Sequence, residues 1–157
     1  AISWADAVKI DWGVIFLYGG GFALGVLSFQ TGLAEAVGRG LTEILPFSGG
    51  FGLLVASVLV AVIVSETTSN TASANMVVPV VIAIAQSQNA DPFIPALGAT
   101  LAASLGFMLP VSTPCNAIVY GSGYIPLMKM VRYGILLDIV GSIVIIATVW
   151  TLGGYLR

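Results

Sequence analysis

The run Glu66-Thr67-Thr68-Ser69-Asn70-Thr71-Ala72-Ser73-Ala74-Asn75 decides how this chain folds. It lies between two apolar stretches, Phe51 to Val64 and Met76 to Ala85. In hydrocarbon every backbone polar group must find its partner inside the protein, so hydroxyls and amides between lipid-seeking helices are expected to line a cavity. The first arm has 14 residues and the second ten, roughly 21 and 15 Å at 1.5 Å per residue. A spanning helix needs about 20 residues. Two short arms meeting at a polar tip predict a re-entrant helical hairpin over 47–88, entering and leaving on one side. The competing reading is two full spans joined by an external polar loop, each lengthened by helical residues borrowed from the polar run.

Composition sets the setting for that hairpin. The chain is 58% hydrophobic and 8% charged, where a soluble domain carries about 25% charged residues. A mean hydropathy of +1.05 over 157 residues spreads the apolar content along the whole chain. The expected class is an all-α polytopic membrane protein, embedded in the lipid bilayer of a plasma or bacterial inner membrane. A net charge of −2 without a basic cluster gives no reason to expect nucleic acid. One cysteine, Cys115, precludes an intrachain disulfide. With no histidine, the commonest general base and metal ligand is missing. A nucleophile at Ser69 would have no base to activate it, so no enzyme is expected. The opening Ala-Ile-Ser-Trp, without an initiator Met, is expected to belong to something longer.

Outward from the tip, Trp12 to Leu33 is long enough to span, and its Gly19-Gly20-Gly21 and Gly25 suit close helix packing. Ala34 to Leu45 alternates Ala34, Val37, Leu41, Ile44 and Leu45 with Glu35, Arg39 and Glu43, the pattern of an amphipathic interfacial helix. Residues 1–46 are therefore expected to be a scaffold-type region, and 47–157 a second region. After a turn at Asn89-Ala90-Asp91-Pro92, an apolar helix from Phe93 to Leu109 meets Pro110. Val111-Ser112-Thr113-Pro114-Cys115-Asn116 then interrupts it before Ala117 to Tyr120. Proline inside a helix removes a donor and clashes with the preceding turn, so 92–123 reads as a broken transmembrane helix. A final spanning helix covers 127–153, its apolar part running from Gly134 to Leu152. Asp138 lies near its start, where an interfacial, snorkelling acid is expected, although an intramembrane carboxylate is by default a functional candidate. Lys9, Lys129 and Arg132 fall on one side and Arg39 and Arg157 on the other, which puts the first side in the cytoplasm.

The two interruptions share one chemistry. The last carbonyls of a helix lack intrahelical partners, so those near Ser65 to Thr68 are free to coordinate a hard cation such as Na+. Ser69 or Asn70 is suited to cap the second arm, whose free N–H groups and positive dipole end favour an anion. At the second interruption, Ser112 closes the first half-helix, Thr113 is the expected N-cap, and Pro114 sits at the first helical position, where its missing N–H costs nothing. Discontinuous helices of this kind build the sites of secondary transporters. Neither interruption contains Lys or Arg, so an anion would depend on hydroxyls, amides, dipoles and co-bound cations. A sodium ion bound beforehand would offset its desolvation. Glu66 is expected to bond hairpin backbone rather than to hold the cation. Taken singly, Ser69-Asn70-Thr71 would equally serve as interhelical glue and Ser112-Thr113-Pro114 as a kink.

Ser65-Glu66-Thr67-Thr68-Ser69-Asn70-Thr71-Ala72-Ser73 and Phe107-Met108-Leu109-Pro110-Val111-Ser112-Thr113-Pro114-Cys115-Asn116-Ala117-Ile118-Val119 resemble the signature segments of the divalent-anion/sodium symporters, the sodium-coupled dicarboxylate, citrate and sulfate carriers. Trp12 to Leu33 resembles the helix before that family's second hairpin. The resemblance implies that Ser69, Asn70, Thr71, Thr113 and Pro114 contact substrate. It also implies that Asn70, with main-chain oxygens of Ser65, Thr68 and Ser112, holds one sodium ion. It further implies a homodimer working by an elevator motion, an outward-facing hairpin and an external C-terminus. Cys115 departs from the second proline often found after Thr-Pro in the family. The family has two inverted repeats, each with one hairpin and one broken helix, and this chain has one of each. It is therefore expected to be the C-terminal portion, with the N-terminal half of the transporter as its partner. The rival functions are a sodium-independent anion exchanger of the same architecture and a structural or channel-forming subunit.

Overall fold

The computed structural model describes residues 49–155 without a gap and, before them, isolated positions between 3 and 36. Five helices follow in order: α1 Gly50–Thr67, α2 Asn70–Ser87, α3 Phe93–Ala102, α4 Pro114–Gly121 and α5 Leu127–Leu152, with a 3-10 turn at Gly153–Tyr155. Among the described residues the fold is all helical, and α1 and α5 are long and apolar enough to cross a membrane. The expected interfacial helix and most of the span from Trp12 lie outside the described residues.

The polar run is not the loop its composition suggests. α1 continues through Glu66 and Thr67, and α2 begins at Asn70. Each arm has 18 residues, roughly 27 Å, so the arms are not short and only Thr68 and Ser69 are left between them. The reason lies in where the side chains bond. Ser69 caps α2, its Oγ accepting the Ala72 N–H at 3.2 Å. Thr68 ends α1 by donating its N–H to the Val64 carbonyl at 3.0 Å, and its hydroxyl donates to the same oxygen at 2.8 Å. The Ser73 hydroxyl donates across the hairpin to the Ala61 carbonyl at 3.0 Å. Polar residues whose side chains bond helical backbone do not need to leave the helix.

The second interruption is longer than its prolines imply. α3 stops at Ala102 rather than near Leu109, and residues 103–113 are non-helical. Phe107, Met108 and Leu109 are apolar, but their N–H groups donate to the Glu66 carboxylate instead of to carbonyls one turn back. Pro110 has no N–H to give. α4 starts where expected, and α5 matches the final helix to within a residue of its expected end.

Small side chains let these elements approach. Leu54, Val58, Ala61 and Val62 of α1 pack with Val77 and Val81 of α2 and with Ala99 and Ala102 of α3. Among lipid-embedded helices such contact is driven by close van der Waals packing, which small residues permit. The Ser57 hydroxyl donates to the Pro95 carbonyl at 3.0 Å and ties α1 to α3. On α5, Gly134, Asp138, Ser142 and Val149 are buried while Ile135, Leu136, Ile139, Val140, Ile143 and Val144 stay exposed. At Gly134 a Cβ would stand 2.6 Å from Met108 Cα and N, so only glycine lets α5 touch the second interruption.

Substituting Gly134→Ala in the full-length protein is therefore expected to cost about 1–3 kcal/mol, the usual price of overpacking. Thermal denaturation in detergent should show a lower midpoint than for Ile135→Ala on the exposed face; equal midpoints would refute the close approach.

Candidate binding site at two chain interruptions

The hairpin tip and the second interruption meet. The Ser65 hydroxyl lies 2.7 Å from the Ala103 carbonyl oxygen and 3.0 Å from Asn70 Oδ1. Asn70 Nδ2 reaches the Ser104 carbonyl at 3.5 Å. Gly106 sits between the two segments: a Cβ there would stand 3.3 Å from Asn70 Oδ1 and 3.1 Å from Ser112 Cβ. Ser65 and Ser112 are buried, and Asn70 is half-buried.

This junction has more acceptors than hydrogens. A serine hydroxyl has a single hydrogen. When Ser65 donates it to Ala103, the closer acceptor, Ser65 Oγ and Asn70 Oδ1 face each other at 3.0 Å with no proton between them. The Ser112 hydroxyl has two carbonyls, Gly106 and Leu109, each at 2.8 Å. Asn116 Nδ2 has two hydrogens for three oxygens: Gly106 O at 2.8 Å, Leu109 O at 3.0 Å and Ser112 Oγ at 3.2 Å. Lone pairs left facing one another in a dry site are relieved by a cation, and hard cations take oxygen ligands of this kind. The residues present fit a sodium ion.

Two helix N-termini open beside this oxygen cluster. Ser69 is buried and its oxygen is occupied by the cap of α2, whereas Thr71 in the first turn is exposed. Thr113 caps α4, its Oγ1 accepting the Asn116 N–H at 3.2 Å, and Pro114 occupies the first turn. Thr113 is half-buried; Pro114 and Cys115 are exposed. Thr68 is buried with its hydroxyl turned back onto α1. Sequence reasoning missed Asn116 and Gly106. An amide in the first turn after a Thr-Pro cap, and a lone glycine in the apolar run before it, were the available signals.

Glu66 was expected to bond the hairpin. Its carboxylate instead crosses to the other segment, accepting N–H groups from Phe107 at 2.7 Å, Met108 at 3.0 and 3.1 Å, and Leu109 at 3.0 Å. Asp138, expected at the interface, is only 4% exposed. The reason is the contact at Gly134, which lies one turn earlier on α5 and brings Asp138 inward with it.

Apolar helices, two of them long enough to cross a bilayer, belong to an integral, multi-pass membrane protein. A family profile described as the sodium:sulfate symporter transmembrane region matches residues 1–156, and the chain belongs to that family. It is 37% identical over 151 residues to the sodium-dependent dicarboxylate transporter SdcS of Staphylococcus saprophyticus, covering 96% of this chain and 29% of that protein. It is 41% identical over 137 residues to solute carrier family 13 member 2 of Mus musculus and 39% identical to that of Homo sapiens, covering 87% of this chain and 23% of each. The chain thus spans roughly a quarter of the length of these relatives. Their transporter family gives no place to catalysis of a covalent step.

Glu66→Ala removes the acceptor of three consecutive N–H groups, each costing about 1–3 kcal/mol if left buried and unpaired. Hydrogen exchange at residues 107–109 of the full-length protein should accelerate at least tenfold. Unchanged protection there would mean that Glu66 does not hold the turn.

Proposed function

We propose that this chain is the C-terminal portion of a sodium-coupled carrier of di- or tricarboxylates, providing half of the substrate site and one sodium site. The observation that carries the reading is the meeting of Asn70 with Ser65 and, across Gly106, with Ser112. There the unpaired oxygens of one interruption face those of the other. The relatives named as sodium-dependent dicarboxylate transporters support the substrate class. The match to the sodium:sulfate profile keeps a tetrahedral divalent anion within the same chemistry.

In this reading Asn70 Oδ1 and main-chain oxygens of Ser65, Thr68 and Ser112 hold the ion. Its charge replaces the Lys or Arg that neither interruption contains. The anion then rests against Ser69-Asn70-Thr71 at the start of α2 and Thr113-Pro114 at the start of α4, where N–H groups and the dipole ends favour it. Binding the cation first lowers the cost of desolvating the anion, so the two move together. That is coupling by electrostatics alone.

In this reading the site lies at membrane depth. α3 and α4 have ten and eight residues, roughly 15 and 12 Å, and neither crosses a core of about 30 Å. These lengths support a junction within the membrane. The hairpin tip, bonded to that junction, lies there too in this reading, with α1 and α2 as a re-entrant hairpin. The exposed apolar face of α5 meets lipid or scaffold. By likeness to the family, the complete protein is a homodimer that carries this module across by an elevator motion, with an N-terminal half supplying the second hairpin.

The test is sodium-dependent uptake of radiolabelled succinate by the full-length protein in proteoliposomes. Asn70→Ala should abolish uptake, at least a hundredfold, while assembly persists. Replacing sodium by choline should do the same in the unaltered protein. Uptake that persists in choline would make it a sodium-independent exchanger, and an ion current surviving Asn70→Ala would make it a channel.

A further inference from the structure

Asn116 closes the second interruption on itself. Its side-chain Nδ2 lies 2.8 Å from the Gly106 carbonyl oxygen, 3.0 Å from that of Leu109 and 3.2 Å from Ser112 Oγ. Three oxygen neighbours assign that end of the amide to the nitrogen. Both carbonyls belong to the non-helical stretch 103–113, and carbonyls outside a helix still need donors when they are removed from water. The Ser112 N–H reaches the Leu109 carbonyl at 3.3 Å. The Gly106 carbonyl takes its hydrogen bonds from the side chains of Ser112 and Asn116. Those two side chains have three hydrogens between them, and two come from Asn116.

The stretch that Asn116 grips is the one that faces the hairpin tip. A Cβ at Gly106 would stand 3.3 Å from Asn70 Oδ1 and 3.1 Å from Ser112 Cβ. Little slack therefore separates Gly106 and Ser112 from Asn70. The grip comes from α4, where Asn116 lies in the first turn and donates its own N–H to Thr113 Oγ1 at 3.2 Å. One residue thus fastens the carbonyls of the turn to the start of the helix. Partners that orient the ligands of a metal ion change its affinity by about tenfold to a hundredfold when removed.

We propose that Asn116 is a positioning residue for sodium. By holding the Gly106 and Leu109 carbonyls and the Ser112 hydroxyl, it sets the distance at which Ser112 faces Asn70. This role rests on the sodium site proposed above and extends it to a residue outside the ligand set. The N–H of residue 116 stays bonded to Thr113 whichever side chain the residue carries, so the start of α4 keeps its cap when the amide is removed.

The test is thermal stabilisation of the full-length protein by sodium in detergent, with no anion present, beside succinate uptake at saturating sodium in proteoliposomes. Asn116→Leu, of similar size without a donor, should raise the sodium concentration for half-maximal stabilisation by about tenfold or more. Its KM for succinate at saturating sodium should stay within about threefold of the unaltered protein. Asn116→Ser, small and suited to a first helical turn, serves where leucine fails to fold and should raise the sodium midpoint at least threefold. Ile118→Ala, exposed on α4, should leave that midpoint unchanged. A sodium midpoint unmoved in Asn116→Ser, or a succinate KM that rises as much as the sodium midpoint in Asn116→Leu, would overturn the proposal. If sodium stabilises the unaltered protein and both Asn116 variants alike, the role of Asn116 falls and the sodium site stands. If sodium fails to stabilise the unaltered protein, both fall.

Discussion

The Glu66 carboxylate, taking the N–H groups of Phe107, Met108 and Leu109, is the contact on which the other features of this fold depend. A chain that leaves helical geometry inside a membrane exposes donors with no water to receive them. Here one side chain from another element receives three in a row. That lets α3 end at Ala102, long before the prolines, and leaves residues 103–113 to bring carbonyl oxygens toward the hairpin tip. The contact is charge-assisted, which makes it roughly twice as strong as neutral hydrogen bonds of the same geometry. Without it, an eleven-residue non-helical segment among apolar helices would have no reason to persist.

From this clamp follows the character of the site. Its oxygens, from Ser65, Asn70, Ala103, Gly106, Leu109 and Ser112, have too few hydrogens among them. Two capped helix starts, α2 at Ser69 and α4 at Thr113, point their donors into the same neighbourhood. In the proposed reading such a place takes a cation and an anion together. Rigidity on the far side comes from Gly134, where α5 touches the backbone of the same turn. Tip, turn and α5 are thereby fixed to one another.

Much of this was legible in the sequence, for definite reasons. Ser69 and Thr113 are caps by residue type and spacing, and Pro114 marks a helix start, so local chemistry located both interruptions. The membrane class followed from hydropathy, and the family from two signature segments. Where reading failed, the deciding partner was distant. Thr67 and Asn70 to Asn75 are helical because hydroxyls such as Ser73 Oγ bond backbone across the hairpin, which composition counts as loop. Leu109 is not helical because its N–H goes to a residue 43 positions away. Asp138 is buried because Gly134 brings its helix inward, and no local pattern around it predicts that contact.

The account turns on the hairpin tip and the second interruption being one place. Cross-linking in the full-length protein tests this most directly, using Asn70→Cys with Ser104→Cys, and Cys115 and any other cysteines replaced by serine. A short thiol–thiol reagent should bridge the two within one chain in high yield, detected by mass spectrometry after digestion. A control pairing Asn70→Cys with Tyr124→Cys, beyond the end of α4, should remain unbridged. Failure of the 70–104 pair to link while both thiols react singly would contradict the account.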